Sequence, residues 1–233
     1  SALAALPVVR TRLATAPAGA ALTLPAFLTF YLPLVLTGML SLFVQPIGSA
    51  AIARMPDALA SLAVWPVANG FLFMIRSVAF ALNEVVVALL DRPGAYRALL
   101  RFTQVPAAAL LAISLAVAFT PLSGLWFGSL SGLGPELTAL ATLGFAWALL
   151  MPPLDAYRNF IQGLAVFAKR TAAVSSSMIL FLAVSAALLA FGIVTQRFTA
   201  LPMAMLAFAA ATAAQVAWLW AKVRREAKEL AAR

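Results

Sequence analysis

The sequence predicts an all-α membrane protein with six transmembrane helices. Hydrophobic residues make up 64% of the 233 residues and charged residues only 10%, whereas soluble proteins carry about 25% charged residues. The mean hydropathy is +1.02. Since one crossing needs about 20 apolar residues, a chain of this length accommodates about six crossings with their connections. This composition excludes a soluble domain.

Residues 1–23 are predicted to form a cytoplasmic arm or linker, followed by a six-span lobe at residues 24–222. Arg10 and Arg12 are followed by small residues without the compact apolar core of a signal peptide. The chain begins at Ser1 rather than Met, which leaves open that it is a piece of a longer protein.

The first and second spans are predicted at residues 24–53 and 58–90, and each ends at a Pro-containing polar turn. Both are longer than a crossing requires, so they must tilt, kink or protrude. Pro46 and Pro66 lie inside them, and each removes a backbone donor and kinks its helix. Such kinks are either bends needed for packing or hinges of a moving bundle.

The third span is predicted at residues 102–120, after a short amphipathic segment at 95–101 that we expect to lie at the membrane interface. An uncharged Gly/Ser-rich connection, PLSGLWFGSLSGLGP, follows and predicts a flexible loop. The fourth span, at residues 136–168, is interrupted by Pro152 and Pro153, which leave the same two alternatives of bend or hinge.

The fifth and sixth spans are predicted at residues 171–195 and 199–221, and a polar tail at 223–233 continues the last helix into water. Six crossings place twelve Lys and Arg residues on the side of the two termini and only Arg54 and Arg197 on the other side. Because cytoplasmic loops carry the excess of positive residues, we expect both termini in the cytoplasm and a multi-pass protein of the inner membrane.

Four ionisable residues lie inside the predicted spans, namely Arg76, Glu84, Asp155 and Arg158. A charge at bilayer depth costs about 2.5–3.5 kcal/mol on insertion scales, so these residues are expected to face the bundle interior or a wet cavity. At about 1.5 Å per residue from the cytoplasmic ends, Arg76 and Asp155 lie at about 22 and 21 Å, and Glu84 and Arg158 at about 10 and 16 Å. The matched depths of Arg76 and Asp155 predict that these two residues pair. Glu84 and Arg158, both nearer the cytoplasm, are then expected to form the second pair, with an embedded charge near zero.

Amide residues accompany these charges on the same helical faces, at intervals of seven in the second span and at i, i+3, i+4 and i+7 in the fourth. The amides of these two spans are Asn69, Asn83, Asn159 and Gln162, and a fifth amide, Gln45, lies in the first span in a polar repeat at intervals of four. Two interpretations stay open. The charges are interhelical salt bridges that fix the bundle, or they line a water-filled cavity that binds a polar substrate or a coupling cation. The amides favour the cavity, because they exceed what two ion pairs need.

The chain lacks the residues and motifs that several classes of function require. The chain contains no His and no Cys, which removes His-based acid–base chemistry, most transition-metal sites and disulfides. It has no phosphate-binding Gly-rich loop, no nucleophile elbow and no carboxylate cluster for a metal. We therefore expect neither an enzyme nor a metal or cofactor site. No basic stretch interleaved with aromatic residues predicts a nucleic-acid partner.

Three stretches form a further pattern: FYLPLVLTGMLSLFVQPIGSAAIARMPD, WPVANGFLFMIRSVAFALNEVVVAL and LDAYRNFIQGLAVFAKRT. The first contains an LPL-LT…QP sequence, and the third has a QG step before a basic turn. Together they resemble one lobe of the multidrug/oligosaccharidyl-lipid/polysaccharide exporter superfamily, which includes the MATE pumps and lipid flippases. The likeness is nearest to its bacterial progressive-ankylosis-like branch and covers about residues 24–222.

The resemblance implies two six-helix lobes around a central cleft that work by alternating access, often driven by H⁺ or Na⁺. This chain would be a single MATE-like lobe, completed by another part of the same protein, by a partner chain or by a second copy of itself. Some members place a coupling acid in the first span, which has none here, and this shifts the candidates to Glu84 and Asp155.

The sequence thus predicts a secondary transporter or flippase lobe, surrounded by membrane lipids, that moves a small-molecule or lipid-linked polar substrate, with an anion among the candidates. Arg76 and Arg158 would attract an anionic group, with Glu84 and Asp155 as counter-charges, in a cleft lined by the first, second and fourth spans. The alternative is a non-transport membrane scaffold or assembly subunit whose buried salt bridges are structural.

Overall fold

The computed structural model describes residues 23–231, apart from the side chain of Ala26, so the predicted arm lies almost wholly outside the described residues. Within this range every regular element is helical and no strand is present. The elements are α1 (Leu24–Ser41), α2 (Val44–Ile52), α3 (Ala58–Leu89), α4 (Ala95–Phe119), a π-helical segment (Gly124–Leu130), α5 (Pro135–Ala148), α6 (Met151–Phe167), α7 (Thr171–Thr195) and α8 (Ala200–Ala231).

Six stretches of helix are long and apolar enough to cross a membrane: Phe27–Ile52, Ala58–Leu89, Ala95–Phe119, Pro135–Phe167, Thr171–Thr195 and Ala200–Ala231. The first is made of α1 and α2, and the fourth of α5 and α6. The predicted all-α, six-helix membrane protein is therefore confirmed. Only helices and closed barrels satisfy all backbone polar groups in lipid, which is why hydropathy identifies the spans so well.

The first and fourth spans are both broken next to proline. The first break, at residues 42–43, separates α1 from α2, and Pro46 is the third residue of α2. The second break, at residues 149–150, separates α5 from α6, and Pro152 and Pro153 are the second and third residues of α6. Proline suits the first turn of a helix because the N–H that it lacks has no partner there in any case. The predicted interruption of the fourth span is confirmed, whereas Pro66 lies inside the continuous helix α3.

Two predicted features between the second and fourth spans need correction. Residues 95–101 form the beginning of the continuous helix α4, so the helix of the third span starts earlier than the predicted residue 102. The Gly/Ser-rich connection is not a plain loop, since it contains the π-helical segment. Its Phe127 is fully buried, with its ring centroid 5.4 Å from that of Phe71 and 6.5 Å from that of Phe145. This aromatic cluster attaches the connection to the bundle.

The loops meet at two opposite ends of the bundle, as alternating crossings require. At one end Gln196 Nε2 donates to the Arg54 carbonyl at 2.7 Å, and the Ala200 N–H donates to the Pro56 carbonyl at 3.1 Å. At the other end the α3–α4 turn, the α6–α7 turn and the last turns of α8 share one apolar cluster. The loops of this second end carry Arg92, Lys169 and Arg170, which the sequence predicts to lie in the cytoplasm.

The last turns of α8 are more than a solvated extension. The helix continues to Ala231, and Val223 and Ala227 are buried against the neighbouring helices. Glu226 forms an ion pair with Arg170 of the α6–α7 turn at 2.5 Å. One face of the predicted polar tail therefore packs onto the bundle.

Helices α3 and α6 pack closely at Gly163. A Cβ atom added there would lie 2.9 Å from the backbone oxygen of Asn83 and 2.8 Å from Val86 Cβ, both too short for a real contact. Protein interiors are close-packed, so this seam has no room for a side chain. It fixes the separation of the two helices that carry Arg76 and Asp155.

Candidate functional site

A cavity of about 660 Å³ lies among five of the six spans. The expected contributions of the first, second and fourth spans are present, through α1, α2, α3 and α6, and α7 and α8 complete the wall. The polar residues of its lining are Thr37, Ser41, Gln45, Asn69, Arg76, Arg158, Asn159, Gln162 and Gln215. The apolar part of the wall includes Phe73, Phe80, Phe181 and Phe208.

A second cavity, of about 450 Å³, lies between α3 and α4 near their connecting turn. Its lining is almost entirely apolar, and Arg92 is the single charged residue in it. Ligand sites combine an apolar wall with a few convergent polar groups. The larger cavity, with its two arginines and five amides, fits that description and is the candidate site.

Three of the four predicted intramembrane charges form one cluster at the cavity wall. Asp155 pairs with Arg76 across the α3–α6 seam, as predicted. Its Oδ1 also lies 3.0 Å from Arg158 Nη2, one turn along α6. The Asp155 side chain is completely buried, whereas those of Arg76 and Arg158 are 21% and 19% exposed. The carboxylate thus lies behind the two guanidinium groups, which line the cavity.

The predicted pair Glu84–Arg158 is wrong. Arg158 pairs with Asp155, and Glu84 is exposed and is not part of the cavity lining. The physical reason is angular. Glu84 follows Arg76 by eight residues, which rotates it about 80° around the helix axis. The two residues therefore face different directions although both lie in one span.

This arrangement changes the charge of the site. Two guanidinium groups share one carboxylate, so the cluster carries a formal charge of +1 instead of the predicted charge near zero. Removing charges from water is costly unless they are paired and hydrogen-bonded. Because residues 23–231 compensate only one of the two positive charges, an anion in the cavity would complete the pairing.

The predicted amides separate into two groups. Asn69 and Asn159 line the cavity, and each donates its Nδ2 hydrogen to the carbonyl four residues earlier, at 2.9 Å for Asn69 and 2.8 Å for Asn159. Gln45 and Gln162 also belong to the wall. Asn83 does not, because its backbone lies in the α3–α6 seam opposite Gly163. Four of the five predicted amides are thus brought together.

The sequence-based reasoning missed Gln215 of α8, a cavity residue that is only 4% exposed. It is a single amide in the alanine-rich stretch AATAAQVAW, so no polar periodicity marks it. A usable signal was its depth, since it precedes Lys222 by seven residues, just as Gln162 precedes Lys169.

Both broken spans border the cavity at their breaks. Ser41, Val44 and Gln45 flank the first break, Met151 begins the helix after the second, and all four residues line the cavity. In membrane transporters, discontinuous helices commonly form the substrate site, because their free backbone ends can satisfy polar groups there. Residues at both breaks of the spans thus form part of the cavity wall.

Among the side chains that the structure describes, no group of three or more His, Cys, Asp and Glu residues could hold a metal ion. Comparisons with known protein families, with curated proteins and with solved structures find no match. The likeness to the exporter superfamily therefore stays a prediction that rests on the three sequence stretches quoted above.

Proposed function

We propose that this chain is one lobe of a secondary transporter or flippase that moves an anionic, polar substrate across the cytoplasmic membrane by alternating access. The observation that carries the proposal is the sharing of one buried carboxylate by Arg76 and Arg158 at the cavity wall. Ionisable residues inside membrane spans typically mark substrate or ion pathways. Arg is well suited to a phosphate or carboxylate, since its planar fork donates two parallel hydrogen bonds.

The size and lining of the cavity support a small organic substrate or a lipid headgroup. Its volume of about 660 Å³ lies within the usual range of about 300–1,000 Å³ for ligand pockets. The amides can orient polar groups of a substrate, and the phenylalanine rings can contact its apolar part. Such a mixed wall suits an amphiphilic anion better than a bare inorganic ion.

The helix breaks support a moving bundle. Hinges are a few residues at the ends of elements that absorb changes in backbone angle. Pro46, Pro152 and Pro153 lie in the first turns after the two breaks, where such changes are least restrained by helical hydrogen bonds. Pro66 is a weaker hinge candidate, because α3 continues through it.

The exposed face formed by the first span and by Glu84 of α3 supports the proposal that a second six-helix lobe packs beside the cavity. This lobe is supplied by the same protein, a partner chain or a second copy. The most apolar window of the first span has no residue buried against the other helices. Glu84 is exposed one turn beyond Phe80, which lines the cavity. A carboxylate facing lipid is costly, so a polar or positive group of an opposing lobe explains it better. Membrane lipids cover the remaining apolar surface.

Coupling to H⁺ or Na⁺ is part of the proposal, with Glu84 as the stronger candidate. The carboxylate of Asp155 already contacts two guanidinium groups, whereas Glu84 forms no ion pair with any residue between 23 and 231. An exposed carboxylate at the face between two lobes can exchange a cation as the lobes move.

The charge of the loops supports cytoplasmic termini. The bundle end that contains Arg92, Lys169 and the basic last turns of α8 carries nearly all loop cations, and Arg54 and Arg197 lie at the opposite end. By the positive-inside rule this basic end faces the cytoplasm.

The second candidate function is a membrane scaffold or assembly subunit, and the complete burial of Asp155 between two arginines favours it. In that case the cluster only fixes α3 against α6, and the cavity binds no anion. The two functions differ in whether Arg76 and Arg158 bind an anion in the cavity.

Binding of simple anions distinguishes them. Titration of the purified full chain with n-propyl phosphate and with propionate should give saturable binding that weakens at least tenfold in Arg76→Gln and in Arg158→Gln. Glu136→Gln, a charge-neutralising control at an exposed position outside the cavity, should bind as the wild type does. Unchanged binding in both arginine variants would refute the transport role of the cluster.

A further inference from the structure

Gln215 presents an unsatisfied hydrogen-bond acceptor at the cavity wall. Its Nε2 lies 3.4 Å from Ser177 Oγ and 3.9 Å from Met178 Sδ. Its Oε1 is buried and has no hydrogen-bond partner among residues 23–231. Buried polar atoms are nearly always hydrogen-bonded, so each exception needs an explanation.

The neighbouring bonds fix which end of the amide is free. Ser177 donates its only hydroxyl hydrogen to the Val174 carbonyl at 2.7 Å, so its oxygen can only accept from Gln215. The sulfur of Met178 is also an acceptor. Both contacts require the amide NH₂ group, and a flipped amide would place two acceptors against each other. The free atom is therefore the amide oxygen, and it requires a donor.

Donors on the adjacent turns are already used. The Thr212 hydroxyl donates to the Phe208 carbonyl at 2.8 Å, and Trp218 Nε1 donates to Ser176 Oγ at 3.2 Å. Gln215, by contrast, shares the cavity with Arg158 and Gln162. A donor from a molecule in the cavity is the complement that this acceptor lacks.

The positions of Gln215 and the arginines in the cavity indicate which chemical groups the bound molecule carries. Counted along the helices from the basic end of the bundle, Gln215 lies at about 10 Å and Arg158 at about 16 Å. Because Gln215 and Arg158 line the same cavity and differ in depth by about one helical turn, a single small molecule can present an anionic group to the arginines and a donor to Gln215. An ammonium donor is disfavoured because the arginine cluster already carries a net positive charge.

We infer that Gln215 is a substrate-binding residue that accepts a hydrogen bond from a hydroxyl group of the bound anion. The substrate class is then a hydroxylated organic anion, with a phosphate or a carboxylate on Arg76 and Arg158. This inference rests on the proposed function, since it assumes that an anion binds at the two arginines.

Pairs of anions that differ by their hydroxyl groups test the inference on the purified full chain. One pair is sn-glycerol 3-phosphate and n-propyl phosphate, and the other is L-lactate and propionate, so the two pairs distinguish a phosphate from a carboxylate substrate. In at least one pair the wild type should bind the hydroxylated member about 3- to 10-fold more tightly, the ratio typical of one hydrogen bond. Gln215→Leu should abolish this ratio without changing the affinity for the member that lacks hydroxyls, and Arg158→Gln should weaken both members.

The ligand-free protein supplies a readout that a structural role would change. Because Oε1 has no partner, Gln215→Leu should unfold at or above the wild-type temperature, and a fall of several degrees would assign Gln215 to packing and overturn the inference. Gln215→Met, closer in length, serves the same test if the Leu variant does not fold.

The binding results also separate the possible outcomes. A preference for the hydroxylated anion that survives in the Gln215 variants overturns the inference. If the wild type binds n-propyl phosphate or propionate through Arg158 but shows no hydroxyl preference, only this inference fails. If none of the four anions binds, the proposed anion site fails with it.

Discussion

Asp155 Oδ1 lies 3.0 Å from Arg158 Nη2 on the same helix, and the same carboxylate pairs with Arg76 on the neighbouring helix. One completely buried acid is thus shared by two cations that are each about one-fifth exposed to the cavity. This sharing gives the site its net positive charge, and it makes the effect of each substitution depend on the charge that is left behind.

Asp155→Asn should be the most destabilising single neutralisation in the cluster. It leaves two guanidinium groups next to each other without a counter-charge, and breaking a buried ion pair costs about 3–5 kcal/mol. Glu84→Gln, the matched control on the exposed face of α3, should change the free energy of unfolding by less than about 0.5 kcal/mol. Denaturation of the chain in detergent micelles measures both, and equal effects of the two variants would contradict the shared-carboxylate arrangement.

The double variant Arg76→Gln, Asp155→Asn keeps the formal charge of the cluster at +1, because Arg158 remains. It should therefore be more stable than Asp155→Asn alone, with a coupling energy of about 0.5–3 kcal/mol between the two positions. Anion binding should nevertheless be lost or strongly weakened, since one guanidinium is missing. A double variant that binds anions and functions as the wild type does would instead favour the scaffold.

Gly163→Ala should separate α3 from α6. The added methyl group would meet the Asn83 backbone oxygen at 2.9 Å, and overpacking of this kind typically costs about 1–3 kcal/mol. Gly70→Ala is the control, because a Cβ atom there has no described neighbour within 4 Å and Ala is a better helix former by about 1 kcal/mol. The two unfolding midpoints should move in opposite directions. A Gly163→Ala midpoint at or above that of the wild type would show that the seam can widen freely.

Phe127→Ala should show that the connection before the fourth span is packed structure. Phe127 is fully buried, and truncation of a buried Phe typically costs about 3–5 kcal/mol. Leu130→Ala, three residues further along the same π-helical segment and 68% exposed, should cost little. If both variants have the same unfolding midpoint as the wild type, the aromatic cluster does not stabilise the bundle.

The sequence predicts the six spans and the interruption of the fourth span at Pro152 and Pro153 because these features are local. Apolar length selects the crossings, and proline marks the turns where helical hydrogen bonding stops. The π-helical segment was not predictable in the same way. Its Gly and Ser residues are typical of a loop, and only the contacts of Phe127 with Phe71 and Phe145, which are distant in sequence, hold it in place.

The residues of the candidate site also separate into those that the sequence predicts and those that depend on how the helices pack. The pair Arg76–Asp155 was predictable because equal residue counts from the same membrane surface give equal depth. Depth alone says nothing about angle, and for this reason the expected partner of Arg158 was wrong. Gln215 was missed because a single amide has no periodicity, so its place in the cavity depends entirely on how α8 packs.

The ion cluster joins one contact within α6 to one contact between α6 and α3, so movement of the helices affects the two contacts differently. Asp155 and Arg158 are both carried by α6, so their contact survives any rigid-body movement of that helix, whereas the contact with Arg76 spans two helices and does not. Displacement of α6 against α3 would therefore leave α6 electrically balanced and give α3 an uncompensated cation. The bundle would alternate between a shared and a divided distribution of the same three charges.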